Sequence, residues 1–210
     1  MAIHINHGLQ TAAAGFESHC VATCHQLGVP LSIMRAHIRL RPGDSLEEQA
    51  RDARYALLRA AATDLGARVV WLAQHADDQA ETVVLALSRG AGVSGLAGMG
   101  DFTIGDDLTF GRPLLALPQV HLRALAQAQG WGHVDDPTNR DTQHTRNRIR
   151  HDVMPALSQA FPQIVATLSR SARHCAQADG LLVELARLDL QVVGVPPVLK
   201  ALQWVERRTG

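Results

Sequence analysis

The sequence predicts an α/β protein with a doubly wound parallel sheet, followed by a smaller helical region. Two observations support this prediction. Over residues 2–88, short apolar segments alternate with helical segments, and strands that alternate with helices form parallel sheets. From Met154 onward the pattern is only helical, with Pro155 and Pro162 placed where helices begin. We therefore predict an α/β domain at residues 1–145 and a helical region at residues 146–210.

The first part of the chain contains three strand–helix pairs. Residues 2–6 alternate between apolar and polar as a strand does, and residues 31–40 form a second strand candidate. Residues 68–74 are apolar on both sides, which is typical of a buried parallel strand. Helices are predicted to follow these strands, and Gly28 and Gly66 stand where the first two end. The predicted helices are residues 13–27, 46–65 and 77–88.

Glycine and proline divide the next part of the chain. Residues 90–100 contain five glycines, but no Walker-type Gly-Lys-Ser/Thr follows them, so they are only a weak indication of a phosphate-binding turn. Gly130 is expected to end the last helix of the α/β domain. The elements predicted here are a hairpin at 101–110 that turns at 105–107, a short extended segment at 112–115 and a helix at 118–129.

Composition limits the class of protein. The formal net charge is zero, so a polyanionic partner would have to contact a local patch of positive charge. The three cysteines contain no Cys-x-x-Cys pair, which argues against a disulfide framework or a structural zinc site and fits a reducing cytoplasm. No apolar run reaches the ~20 residues that span a bilayer, and the N-terminus lacks the pattern of a signal peptide. We therefore expect a cytoplasmic protein with no membrane partner.

Residues that can carry chemistry cluster where the third strand meets its helix. His75 lies at the strand end, and Asp78 and Glu81 share one face of the helix that follows. Acids in a first turn also complement the helix dipole, which explains Asp77 equally well. Two carboxylates one turn apart can hold Mg²⁺ or orient an attacking amine. The three residues together indicate a ligand site at the carboxyl edge of the sheet.

Two other features are ambiguous on the sequence alone. His7 ends the first strand at the same edge of a parallel sheet, although a single strand-end histidine is more often structural. Phosphate contact and a solvated surface explain a dense run of arginines equally well, although this run adjoins Asn147. The run consists of Arg140, Arg146, Arg148 and Arg150.

Six motifs together resemble the tRNA(Ile)-lysidine synthase family of the PP-loop ATP pyrophosphatase superfamily. They occur in the family's order over most of residues 2–155, and the third is the longest and most specific. The motifs are HINHGL, LEEQARDARY, LAQHADDQAETVVLALSRGAGVSGLAGM, RPLL, WGHVDDPTNRD and RNRIRHDVMP. The resemblance implies a parallel α/β domain that binds ATP and Mg²⁺ at the carboxyl edge of its sheet.

The resemblance also implies an activity, the formation of a C–N bond. Members of the family adenylate the wobble cytidine of an isoleucine tRNA that bears a CAU anticodon, with release of pyrophosphate. The amine of free L-lysine then displaces AMP and gives lysidine. The implied partners are tRNA(Ile), ATP and L-lysine, whereas the sequence leaves open whether the protein forms a homodimer.

Roles for individual residues follow from their positions in these motifs. As catalytic residues, Asp78 and Glu81 would handle the lysine amine or the metal. Arg54 and Arg146 would stabilise phosphate or the adenylated base, as arginine does when charge develops on phosphate. The residues that would line the substrate site are His7, His75, Arg112 and Asn147.

One motif of the family does not match. Its Ser-Gly-Gly-x-Asp-Ser loop, which grasps ATP, belongs to a first strand upstream of HINHGL, and the printed sequence contains no such loop. We therefore expect the first strand of the family's sheet to be missing, the tRNA-binding region to be incomplete, and this polypeptide by itself to have little or no synthase activity. A truncated or wrongly started gene is the favoured cause, with a degenerate paralogue as the alternative.

Two other functions stay open. Another PP-loop enzyme, such as a tRNA thiolase, would need cysteine pairs for sulfur or a cluster, and Cys20, Cys24 and Cys175 form no such motif. A non-catalytic tRNA-binding remnant would depend on the arginines of residues 140–150, and its affinity would fall as salt rises.

Overall fold

The computed structural model describes residues 1–6, 13–36, 46–105 and 107–193, and these contain five strands and eight α-helices. The strands are β1 (Ala2–Asn6), β2 (Leu31–Arg35), β3 (Val69–Trp71), β4 (Phe102–Ile104) and β5 (Thr109–Gly111). The helices are α1 (Ala13–Gln26), α2 (Leu46–Asp64), α3 (Ala76–Ser88), α4 (Val93–Leu96), α5 (Gln119–Ala128), α6 (Thr145–Arg148), α7 (Met154–Ala160) and α8 (Ile164–Val193). A 3-10 turn (Pro137–Arg140) precedes α6, and a π-helical turn (Ile149–Val153) joins α6 to α7.

These elements form two compact units. The first unit comprises residues 1–71, 103–111 and 123–137, and the second comprises residues 72–102, 112–122 and 138–210. The α/β class and the parallel pairing predicted from the sequence are confirmed, as is the helical character of residues 154–193; the rest of the predicted helical region, residues 194–210, lies outside the described residues. The predicted division into residues 1–145 and 146–210 stays a prediction.

The first unit contains the parallel strands. β1 pairs in parallel with β2, with Ala2 opposite Leu31, and helix α1 makes the crossover between them. β5 is the middle strand of a second sheet, in which it pairs in parallel with β3 and also pairs with β4. The predicted hairpin is confirmed, since the Gly105 amide donates to the Leu108 carbonyl at 3.1 Å. Asp106, which the sequence places in the turn of this hairpin, lies outside the described residues.

Phe110 of β5 is the best-buried large side chain of this unit, with 1% of its surface exposed. Its ring contacts Tyr55 edge-on, with 5.0 Å between the ring centroids. The guanidinium of Arg59 lies 5.0 Å from the Phe110 centroid. Helix α2 thus packs on β5 through aromatic and cation–π contacts.

Two details of the predicted fold are wrong. β3 is not a buried strand, because Val69 is 41% and Trp71 is 61% exposed. It lies at the edge of its sheet, so that within the described residues only β5 pairs with it. Residues 112–115 are not extended but form a turn, in which the Leu115 amide donates to the Arg112 carbonyl at 3.1 Å. Pro113 favours such a turn because its ring fixes φ near the value that the second position of a turn requires.

The second unit is built around α3. Ala80, in the middle of α3, has no exposed surface and packs with Ile149 and Met154. This apolar contact fixes the π-helical turn and the start of α7 against α3. The partly buried side chains around it are Val84, Leu85, Leu157, Ile164, Val165 and Leu168. Helix α8 packs along α3 and α4 in the same unit.

Helix α8 has 30 residues, and its last turns expose several large apolar side chains, among them Leu181 and Leu188. None of the helices within the described ranges is both long and apolar enough to cross a membrane.

Candidate active site

The first turn of α3 is closed by its own acidic side chains. His75 is the N-cap residue, with extended backbone, and its amide donates to Oδ2 of Asp78 at 3.1 Å. Oδ2 of Asp77 accepts a hydrogen bond of 2.7 Å from the amide of Gln119. Both carboxylates therefore stabilise this end of the helix by accepting hydrogen bonds from backbone amides, and the helix dipole also favours negative charge here.

The imidazole of His75 lies between these two carboxylates. Its Nδ1 is 3.6 Å from Oδ2 of Asp77, and its Nε2 is 3.5 Å from Oδ2 of Asp78. Only 14% of the side chain is exposed, and Nδ1 is buried without a hydrogen-bond partner within the described residues. The two contacts become ion pairs when the ring is protonated.

Asp78, Glu81, Arg146 and Arg150 form a compact group that we call the ion-pair cluster. Arg150 binds Glu81 through two bonds, Nε to Oε1 at 2.6 Å and Nη2 to Oε2 at 2.8 Å. Arg146 binds the same carboxylate through one, Nε to Oε2 at 3.0 Å. Both Nη2 atoms also approach Oδ1 of Asp78, at 3.4 Å for Arg146 and 3.3 Å for Arg150. The formal charges of the cluster cancel.

The cluster is more buried on its acidic side. The side chains of Glu81 and Asp78 are 4% and 16% exposed, whereas those of Arg146 and Arg150 are 26% and 31% exposed. The hydrogen bond from Arg150 to Glu81 raises the pKa of Arg150, although partial burial acts against it. Like other arginines, Arg150 is a cation at physiological pH.

Local packing brings the arginines to α3. Ile149 is buried against Ala80, and its neighbours along the chain point the two guanidinium groups at Asp78 and Glu81. The sequence motifs predict Arg146 as a site residue, whereas Arg150 belongs only to the predicted arginine run. The available signal was spacing, since arginines four residues apart match acids three residues apart on a facing helix.

The other predicted site residues have different surroundings. Arg112 is 5% exposed and donates from Nε to Gln74 Oε1 at 2.7 Å and from Nη1 to the Gly100 carbonyl at 2.9 Å. It holds the loop that carries Gly100. Arg54 lies exposed on α2, in the first unit, and His7 lies outside the described residues.

Asn147 also makes hydrogen bonds that hold the backbone. Its Nδ2 donates to the carbonyls of Thr138 and Asp141, at 2.8 and 2.9 Å, and so ties the 3-10 turn to α6. The structure thus brings Asp78, Glu81, Arg146 and His75 together and gives Arg112 and Asn147 supporting contacts.

Gln79 is a supporting residue that the sequence did not predict. It is 3% exposed, and its amide donates to the Met99 carbonyl at 2.9 Å and accepts from the Met99 amide at 2.8 Å. The glycine-rich segment is therefore fastened to α3 as a turn that includes the short helix α4.

Gly98 gives a direct test of this attachment. Its φ is +63°, and a Cβ there would lie 2.7 Å from Oε1 of Gln79. We expect Gly98→Ala to lower the free energy of unfolding by about 1–3 kcal/mol, because it combines left-handed strain with a clash. Gly180→Ala is the control, since that helical glycine has open space around its Cβ position and should gain about 0.5–1 kcal/mol. Urea unfolding would measure both; equal changes would contradict the expectation.

A cavity of about 440 Å³ adjoins the other face of α3. Ala76 and Gln79 line it, and helical geometry places these residues opposite Asp78 and Glu81. Helix α8 forms its far wall, where the hydroxyl of Ser169 is buried without a hydrogen-bond partner within the described residues. The cavity is large enough for a small molecule but does not include the ion-pair cluster.

The cluster as placed does not fit the predicted Mg²⁺ site. Both oxygens of Glu81 accept hydrogen bonds from guanidinium groups. Oδ1 of Asp78 faces the same two arginines, and Oδ2 accepts from the His75 amide. A divalent cation would lack free carboxylate oxygens and would meet two positive side chains. Elsewhere in the described part of the chain, no group of three or more His, Cys, Asp and Glu side chains is placed to hold a metal.

Comparison with known proteins supports the fold and the motifs. Residues 1–157 match a family model described as the PP-loop domain. The chain is 53% identical to the tRNA(Ile)-lysidine synthase of Polaromonas naphthalenivorans over 202 residues. This alignment covers 96% of this chain and 62% of that protein. The chain is 43% identical over 206 residues to the enzyme of the same name from Pseudomonas aeruginosa, covering 98% of this chain and 46% of that protein. The chain thus spans roughly half the length of these relatives.

A solved structure has a similar fold. The U34-tRNA thiolase NcsA from Methanococcus maripaludis, determined with its [4Fe-4S] cluster, matches with a TM-score of 0.68 and 15% sequence identity. The match covers 82% of this chain and 60% of the thiolase chain. At this identity the likeness concerns the fold alone.

Proposed function

Since the chain belongs to the PP-loop domain family, we propose that the protein acts as a tRNA(Ile)-lysidine synthase. In this reaction ATP adenylates the wobble cytidine of tRNA(Ile) with a CAU anticodon, and L-lysine then displaces AMP to give lysidine. The observation that carries the proposal is the ion-pair cluster, in which two motifs far apart in the sequence meet. Its support is the identity of 43–53% to proteins of that name.

The proposed roles follow from the charges of the cluster. Arg146 stabilises negative charge on the adenylate phosphate, and Asp78 and Glu81 attract the ammonium group of lysine. His75, Arg112 and Asn147 hold the surrounding backbone in place. The roles predicted for Arg54 and His7 rest on the family motifs alone.

The proposal includes three substrates and a location. ATP, tRNA(Ile) and L-lysine are the substrates, and the cytoplasm is the compartment where tRNA and ATP meet. Mg²⁺ would accompany ATP, but Asp78 and Glu81 as placed do not provide its ligands. A homodimer is the assembly to test, by light scattering of the purified protein.

The proposed activity predicts incorporation of labelled L-lysine into tRNA(Ile). Incorporation is expected to need ATP, to release AMP and pyrophosphate in equal amounts, and to disappear with a tRNA(Ile) that carries another base at the wobble position. The sample is the product of the complete reading frame, which we call the full-length protein, because the matched region covers only 62% and 46% of these two relatives. Filter-bound radioactivity and chromatography of the nucleotides would provide the measurements.

Two other outcomes would identify another function. Salt-sensitive tRNA binding without lysine incorporation would indicate a non-catalytic tRNA-binding protein. Sulfur incorporation would indicate a thiolase, which the residue chemistry disfavours because no cysteine pair is present in the motifs. Absence of lysine incorporation by the full-length protein would contradict the proposal.

A further inference from the structure

The two arginines of the ion-pair cluster are held differently. Arg150 forms a bidentate pair with Glu81 through short bonds of 2.6 and 2.8 Å. Arg146 makes one bond of 3.0 Å to that carboxylate, and its other contacts are longer: 3.2 Å to the Asp78 carbonyl and 3.4 Å to Asp78 Oδ1. Bidentate, charge-assisted bonds are the stronger kind. Arg150 is therefore the tighter partner of Glu81.

This arrangement conflicts with direct capture of a cation. All four carboxylate oxygens of Asp78 and Glu81 already face donors. An ammonium group can reach these carboxylates only if a guanidinium leaves, since a third cation beside two arginines would be repelled. Removal of both arginines at once would leave Glu81, which is 4% exposed, as an unpaired buried charge. Exchange of one arginine avoids that state.

We propose that Arg150 is a positioning residue that stays bound to Glu81, while Arg146 is the partner that the ammonium group of lysine displaces. The ammonium group then takes the place of Arg146 on Asp78 Oδ1 and Glu81 Oε2, which both keep their contacts with Nη2 of Arg150, at 3.3 and 2.8 Å. The released Arg146 guanidinium turns to the phosphate of the adenylated tRNA. Amine and phosphate recognition are thereby coupled, because one event supplies both. This inference rests on the proposed lysidine synthase activity.

The hydrogen bond to Glu81 and the buried backbone neighbour Ile149 support the assignment of the fixed role to Arg150, although its side chain is slightly more exposed than that of Arg146. The hydrogen bond with Glu81 raises the pKa of Arg150, so that the bond is strengthened by the charge on both partners. Arg150 also directly follows Ile149, which is 5% exposed and packs on Ala80 of α3. Its backbone is thus anchored to the helix that carries Glu81.

The test compares two half-reactions in the full-length protein. Arg150→Ala is expected to raise the KM for lysine roughly 10- to 100-fold, because Arg146 is then the last arginine on the buried Glu81 carboxylate and its displacement becomes costly. Lysine-independent adenylation, measured as pyrophosphate release from ATP and tRNA, should change less than about threefold. Arg150→Lys should recover part of the lysine KM, because it restores the charge but not the bidentate geometry. Arg148→Ala, at an exposed neighbouring position, is the matched control.

Each outcome decides the inference. Equal losses in adenylation and lysine transfer, with an unchanged lysine KM, would show a general structural role and overturn it. If Arg150→Ala does not fold, as judged by thermal unfolding, the lysine KM of Arg150→Lys decides, and an unchanged value rejects the proposal. Wild-type protein that incorporates no lysine rejects the proposed function itself. Wild-type incorporation together with wild-type lysine KM in both Arg150 variants rejects only this inference.

Discussion

Replacement of Glu81 by alanine is expected to lower the free energy of unfolding by about 2–4 kcal/mol. Glu81 is 4% exposed and accepts three hydrogen bonds from Arg146 and Arg150. Its removal leaves two guanidinium groups that share only Asp78, so the cluster gains a net positive charge. The cost falls below that of a fully buried pair because both arginines are partly exposed and solvent screens them.

Urea unfolding of Glu81→Ala and of a matched variant would measure this effect. The control is Glu184→Ala on α8, which breaks a pair with Arg187 whose side chains are 63% and 66% exposed. That surface pair should contribute less than about 1 kcal/mol. Glu81→Gln should fall between the two, because the amide keeps one acceptor of similar shape. A Glu81→Ala protein as stable as the Glu184→Ala protein would contradict the importance of the cluster for the fold.

The order of helices and strands could be predicted from the sequence because it depends on local patterns. Apolar runs and helix-ending glycines are local, and Gly28 and Gly66 both have φ of +63° at the ends of α1 and α2. Burial of β3 could not be predicted in this way. An apolar strand is buried only if both of its edges and faces are covered, and that depends on which strands become its neighbours.

The site was predictable in part for a similar reason. The first turn of α3 is a contiguous segment, so that His75, Asp78 and Glu81 could be identified together. The arginine partners of Asp78 and Glu81 are separated from them by 65 to 72 positions in the sequence. Which arginines contact α3 depends on the packing of Ile149 on Ala80. The interpretation of acids as helix-capping residues was also valid, because Asp78 accepts from the His75 amide while it faces the arginines.

Arg112, which a family motif places in the substrate site, makes hydrogen bonds within the protein, and its role in that site stays a prediction. Arg112 donates from Nε to Oε1 of Gln74 at 2.7 Å and from Nη1 to the Gly100 carbonyl at 2.9 Å. Its 5% exposure makes these hydrogen bonds necessary, since a buried cation without acceptors is strongly unfavourable. Burial, which the sequence does not give, separates this supporting arginine from the partly exposed arginines of the cluster.

Replacement of Arg146 by alanine is expected to reduce lysine incorporation by roughly 100- to 1000-fold, the effect of removing one oriented donor to developing charge. The fold should tolerate the change, because Arg150 still binds both oxygens of Glu81. Within the described residues, Nη1 of Arg146 makes no hydrogen bond, and 26% of the side chain is exposed, so this guanidinium retains a donor for phosphate. Activity would be measured with labelled lysine, and stability by urea unfolding.

The contrast between Arg146 and Glu81 makes this experiment decisive for the division of roles. If the cluster were only structural, Arg146→Ala would lower activity only as far as it lowers stability. If Arg146 contacts phosphate, activity falls steeply while the free energy of unfolding changes by only about 1–2 kcal/mol, because the three hydrogen bonds that are lost come from a partly exposed side chain and Glu81 keeps Arg150. Arg146→Lys should stay impaired, because an ammonium group cannot reproduce the planar fork of guanidinium. Arg148→Ala, at an exposed position with no contact to Asp78 or Glu81 within the described residues, should keep wild-type activity. Retention of activity by Arg146→Ala itself would remove Arg146 from the proposed mechanism.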